Sequence, residues 1–166
     1  MTEFAVNPHR LDPYKRFKFQ IIVDGEIVPG VSQVSALSRQ TEIVSFRSGS
    51  FLNQFLKAPG LTRFNPIVLK RGITHDTTFE DWAELAYNPA GDAAMSLKNF
   101  RKDMRINLMN QQGSVVLSYM VFRAWVSEYE PLPELCADSN EVAMETIVLE
   151  HEGFERDRSV TEPVEA

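Results

Sequence analysis

Apolar residues recur at every second position in short runs, and most runs end on glycine, proline or a polar pair. A period of two is the repeat of a strand with one buried face, so the pattern points to a sheet protein. Residues 17–24 show it clearly. Phe17, Phe19, Ile21 and Val23 fall on one face, and Lys18, Gln20 and Asp24 on the other, with Ile22 the exception. Asp24-Gly25 is a strong tight-turn signal, and residues 26–28 read as the returning strand. Strands are also expected at 31–37, 41–47 and 64–71, with Pro66 marking an edge or a bulge. Beyond residue 101, Met104, Ile106 and Leu108 alternate with polar neighbours. Residues 115–122 are apolar on both faces, as in a central strand, and 123–130 alternate around Trp125. In residues 142–151, Glu145, Ile147, Leu149 and His151 share a face. The runs at 17–24 and 142–151 lie near the chain ends and are expected to form open sheet edges.

One segment departs from this period. Thr77 and Glu80 have capping-box spacing, Asp76, Glu80 and Asp81 suit the positive end of a helix, and Phe79, Trp82, Leu85 and Ala86 form one stripe. Asn88-Pro89 stops it. The expected fold is mainly β: an antiparallel β-sandwich or partly closed barrel with one helix against a side or end. Residues 1–15 read as an N-terminal arm, 16–154 as a single β domain, and 155–166 as an acidic, flexible tail.

Residues 48–60 carry Phe51, Leu52, Phe55 and Leu56 between Gly49 and Pro59-Gly60. Spacings of one, four and five residues suit a short helical turn with an apolar face that belongs to the core. They equally suit an apolar hairpin tip that packs on another subunit, because a monomer seldom leaves such a patch exposed. On the second reading these four residues are the inter-subunit contact.

Composition narrows the functional classes. The 166 residues suit one domain. No apolar run reaches the ~20 residues that span a bilayer, so no membrane anchor is expected. No apolar h-region stands at the N-terminus, so synthesis in the cytoplasm without a signal peptide is expected. The net charge of −6 disfavours nucleic acid as the main partner. Its distribution is uneven: residues 1–75 carry +5 and residues 76–166 carry −11. Opposite halves favour head-to-tail attraction between copies, unless folding intermixes them.

No catalytic set is visible. His9, His75 and His151 lack ligand spacing, and neighbours on a strand point to opposite faces, which separates His151 from Glu150 and Glu152. The bland reading of His151 is a hydrogen-bonded structural residue. The lone Cys136 sits beside Glu134 and Asp138, which disfavour a thiolate. Glu128 and Glu130 share a strand face, better read as solvated than as a carboxylate pair. Glycines stand singly, with no phosphate cradle. Arg10, Lys15, Arg16 and Lys18 interleave with Tyr14, Phe17 and Phe19, but the aromatics at 17 and 19 face away from Lys18 and suit the core. Lys70-Arg71 is read the same way. No catalytic residue, cofactor, metal or nucleic-acid motif is therefore expected.

Two blocks carry a resemblance. PGLTRFNPIVLKRGITHD at 59–76 and EVAMETIVLEHEGFERD at 141–157 are strand-like runs that end in charge and glycine, at Arg71-Gly72 and Glu152-Gly153. With FKFQIIVDG at 17–25, GVSQVSAL at 30–37, TEIVSFRSG at 41–49, TFEDWAELAY at 78–87 and the hairpin within 105–133, they resemble in order the tail-tube family of contractile phage tails and phage-tail-like injection systems. That resemblance covers about residues 14–157. It implies a structural, non-enzymatic subunit whose six-membered rings stack into a hollow tube inside a contractile sheath. Sheath, baseplate and cap proteins are the implied partners, with cargo in the lumen as a further possibility, in a particle that is released from the cell. The segment SGSFLNQFLKAPG at 48–60 departs from the short, polar, glycine-rich hairpin of the family. It leaves two alternatives open: a baseplate-proximal tube-initiator ring, and a cargo-binding ring of the type VI secretion kind.

Overall fold

The computed structural model describes residues 4–50 and 53–166. Among these described residues the chain forms ten strands. β1 (Phe19–Val23) and β2 (Glu26–Ile27) make a hairpin, and β3 (Val31–Val34) follows. β4 (Arg39–Phe46) and β5 (Leu56–Phe64) form a separate two-stranded arm. β6 (Ile67–Gly72) leads to the helix α1 (Thr78–Ala86). β7 (Lys102–Met109), β8 (Val115–Glu130), β9 (Met144–Glu150) and β10 (Gly153–Arg156) complete the chain. All pairings are antiparallel. The main sheet runs β2-β1-β7-β8-β9-β6-β3, with β10 also on β8. Its two ends do not join, so the barrel is only partly closed, as the sequence leads one to expect.

The Asp24-Gly25 turn forms as its composition demands. Both residues have positive φ, 51° and 80°, which gives the two-residue turn whose twist matches a hairpin. Residues 115–130, read from sequence as two strands, are one strand of 16 residues. It turns a corner at Arg123, whose φ is 53°. The Arg123 amide donates to Asp103 Oδ1 at 2.9 Å, and its side chain meets Glu152 at 3.1 Å. Up to Ala124 β8 pairs with β7, and up to Phe122 also with β10; from Trp125 onward it pairs with β9. One strand thus joins two faces of the fold.

Three other expectations change. Pro66 lies between β5 and β6, so β6 is an uninterrupted strand flanked by β3 and β9. β9 is also flanked on both sides, by β8 and β6, and is not an edge. The tail does not hang free: β10 takes in Glu155 and Arg156, the Asp157 amide bonds Ser118 O at 2.8 Å, and Glu162 bonds the N-terminal segment at Asn7.

The core lies where β6 and β9 alternate most strictly. Ile67 and Leu69 are fully buried opposite Leu149 and Ile147. The next pair in this inward row is Arg71 and Glu145, both buried. Arg71 Nε donates to Glu145 Oε1, Nη1 to Asp76 Oδ2 at 2.6 Å, and Nη2 to the Asp76 carbonyl at 2.8 Å. Its guanidinium lies 4.3 Å from the Phe79 ring centroid. One side chain thereby joins β6, β9 and the start of α1. The capping box does not form. Thr77 is the N-cap residue but bonds Asp81, while Asp76 Oδ1 accepts the Thr78 amide at 3.3 Å. The helix is held instead through Phe79 and Trp82, both buried, and Trp82 Nε1 donates to Phe100 O at 3.1 Å.

Burial disfavours the Arg71 charge, but the hydrogen bonds it donates to Glu145 and Asp76 outweigh that and raise its pKa. Replacing Arg71 by Met strands Glu145 in a buried site, which costs about 3–5 kcal/mol in denaturant unfolding. The pair replacement Arg71→Met with Glu145→Leu should recover most of that loss, because no uncompensated charge is left.

Candidate assembly surfaces

The β4–β5 arm is built against ordinary folding logic. Every residue of β4 is exposed. Ile43 is 69% exposed, Leu61 71% and Phe55 65%, and Val44 and Phe46 are about half exposed. The arm coheres through its ladder, a Thr41–Thr62 hydroxyl pair at 2.9 Å and an exposed Arg63–Glu42 ion pair at 2.6 Å. A two-stranded hairpin with apolar residues in water is marginal on its own. Its root is firm. Phe64 stacks edge-on to Phe154, with centroids 5.8 Å apart, and its ring lies 3.4 Å from where a Cβ on Gly153 would sit. Gly153, at φ 146°, takes a backbone conformation that other residues rarely adopt. His151 braces the same point. Its Nδ1 accepts the Gly153 amide at 3.2 Å, which leaves Nε2 to donate to the Asn65 carbonyl at 3.0 Å.

Of the four residues proposed as a contact from sequence, Phe55 is exposed beside the arm and Leu56 opens β5 opposite Phe46. Phe51 and Leu52 lie outside the described residues. Leu56 sits in a strand, so the helical-turn alternative does not extend to it. Ile43, Val44, Phe46 and Leu61 are exposed on the same arm and are not singled out by the sequence reading. The signal was present: Ile43 and Val44 are adjacent, so they cannot share one buried face of a strand.

A second surface lies beside α1. Pairing of β7 with β8 ends at Ala124, so from Trp125 onward β8 has a strand only on its β9 side. α1 packs against this part of β8 and leaves an open groove of about 360 Å³. Ala83, Ala86 and Val126 contribute to its apolar lining, and Glu80, Glu84 and Glu128 are its charged groups.

The chain ends form a third feature. Glu162 accepts the amides of Val6 and Asn7 at 2.9 and 3.0 Å, and buried Asn7 donates to Glu162 and to the Pro163 carbonyl. Arg10 grips both carboxylate oxygens of Glu165 and lies 4.6 Å from the Tyr14 ring centroid. Cys136 is exposed, and among the described residues no group of three or more His, Cys, Asp or Glu is gathered as metal ligands would be. No helix among the described residues is long and apolar enough to cross a membrane.

Residues 15–155 match the family described as T4-like virus tail tube protein gp19, and the chain belongs to that family. The fold is similar to a chain of the PVC sheath-tube complex, an extracellular contractile injection system in its extended state. The two share 24% identity and a TM-score of 0.72, over 87% of this chain and 91% of that one. A chain of the tube-terminating cap of the anti-feeding prophage is 24% identical, with a TM-score of 0.74 over 89% and 93%. A chain of the anti-feeding prophage baseplate is 17% identical, with a TM-score of 0.72 over 89% and 97%. Hcp1 from Flavobacterium johnsoniae is more distant, 16% identical with a TM-score of 0.55 over 83% and 93%. No curated protein matches.

The terminal clasp should respond to acid. The Val6 amide, followed by the bonds from Asn7, holds Glu162 below its ordinary value of 4.5. Bonds from Ser159 and then Arg105 hold Asp157 at about 2, down from 3.8. A depressed carboxylate stabilises the fold above its ordinary value, and that contribution is lost as pH falls through the folded value. The Val6 and Asn7 amide resonances should therefore hold still between pH 7 and 5 and shift toward unbonded positions only below 4.5, the ordinary value for Glu162.

Proposed function

We propose that this chain is the structural subunit of the inner tube of a contractile tail or contractile injection system. Residues 16–154 form its single β body. Six copies close into a ring, the rings stack into a hollow tube, and sheath contraction drives the tube through a target envelope. The exposed arm is the observation that carries this reading. A family of tube proteins supplies the context, and an arm with Ile43, Phe55 and Leu61 in water has a physical reason to exist only if another subunit covers it. Ring closure also suits the open sheet, because β3 and the outer side of β1 near Phe19 are left as edges that a neighbour can occupy. The role is mechanical rather than catalytic.

The similar chains stand in sheath–tube, baseplate and cap assemblies, which makes sheath, baseplate and cap proteins the partners to test first. The baseplate likeness also favours a second reading, a tube-initiator ring that meets the baseplate and forms no long tube alone. A type VI-like cargo ring has weaker support, from a fold likeness of TM-score 0.55. Electron microscopy of the purified protein separates these readings: long tubes, single rings, or rings holding cargo. Monomers at micromolar concentration would overturn all three.

The arm yields a mutational test. Burying an apolar side chain of this size contributes about 1.5–3 kcal/mol. Phe55→Ser together with Ile43→Ser should thus raise the concentration needed for assembly, while circular dichroism and the unfolding midpoint of the unassembled chain change little.

A further inference from the structure

The arm and the α1–β8 groove match in charge, apolar character and edge chemistry. Residues 39–64 carry Arg39, Arg47, Lys57 and Arg63 against Glu42 alone, a net of +3. The lining of the groove holds three carboxylates, Glu80, Glu84 and Glu128, and no Lys or Arg. Its floor is apolar, and it runs beside the half of β8 that lacks a strand on one side. The arm in turn offers two unpaired strand edges and exposed apolar side chains. Within one chain the two surfaces grow from different parts of the fold. The arm springs from the β3–β6 side, anchored at Gly153, while the groove lies on β8 at the far border of the β8-β9-β6-β3 run.

We infer that the α1–β8 groove is the receptor for the β4–β5 arm of a second copy of this chain. The arm lays one free edge along β8 from Trp125 onward, its apolar residues meet Ala83, Ala86 and Val126, and its cations face the three glutamates. Strand addition gives the contact its register, and the charges orient it. Because donor and receptor are different surfaces, the contact is heterologous, so each copy gives one arm and accepts another. This is the kind of contact that propagates along an assembly, and it rests on the tube-subunit reading above.

The test places a photo-crosslinking phenylalanine at position 55 of the full-length chain and maps the adducts in assembled particles by mass spectrometry. Crosslinks between chains that reach residues 80–89 or 126–129 support the docking. Particles that assemble but crosslink elsewhere overturn the docking and leave the tube reading standing. A chain that stays monomeric overturns both. Charge reversal gives an independent arm of the test. Glu84→Lys with Glu128→Lys should raise the concentration required for assembly by at least ~10-fold, since like charges then face each other. Adding Arg47→Glu and Lys57→Glu to the same chain should restore assembly. Failure of that rescue, with the quadruple variant folded, overturns the pairing.

Discussion

Arg71 is the cation around which this fold is arranged. It occupies an inward position of β6 in line with Ile67 and Leu69, where an apolar residue is the ordinary choice. A buried charge is tolerable only when paired and fully hydrogen-bonded. Glu145 satisfies it from β9, and Asp76 satisfies it from the loop before α1. The requirement is directional, so it specifies more than stability. It pins Arg71 opposite Glu145, and a slip of one residue would turn every inward side chain of β9 outward. It also brings the start of α1 down beside the sheet, which sets the wall of the α1–β8 groove. The two sequence blocks that carry the family resemblance, 59–76 and 141–157, contain these two partner strands.

Much of this was legible locally. The β1–β2 turn needs only Asp24-Gly25 and the alternation before it. Helix α1 needs only the stripe of Phe79 and Trp82 and the stop at Asn88-Pro89. What was not legible depends on contacts distant in sequence. The corner at Arg123 is set by a positive φ stabilised through Asp103, and no glycine marks it. The union of the chain ends pairs Asn7 with Glu162, about as far apart as this chain allows, and an acidic tail has no periodicity to show that it is held. β9 was placed at an edge because it lies late in the chain, yet order along the chain does not fix order in the sheet. For the candidate site, the sequence showed an apolar surplus near residue 55 but not that the flanking strands leave the sheet and expose Ile43 and Leu61.

The molecule therefore combines two regimes. Its body is paired and cross-tied by Arg71, by the clasp of the ends and by the β8 corner. Its arm is a lone hairpin that carries cations and apolar residues into solvent. Lys57, Arg63 and Pro59 on the arm are residues that discourage indiscriminate edge pairing, so its exposure does not amount to an unguarded aggregation site. An acid-lined groove beside an incomplete strand edge is a selective counterpart for such an arm.

Hydrogen exchange of the unassembled chain and of assembled particles tests this division most directly. The account predicts that the β6 and β9 amides are protected in both forms, whereas the β4 and β5 amides exchange rapidly in the unassembled chain and become protected only on assembly. Equal protection of β4 and β5 in both forms would mean that the arm is stable without a partner, and would contradict the claim that its fold is completed by another copy.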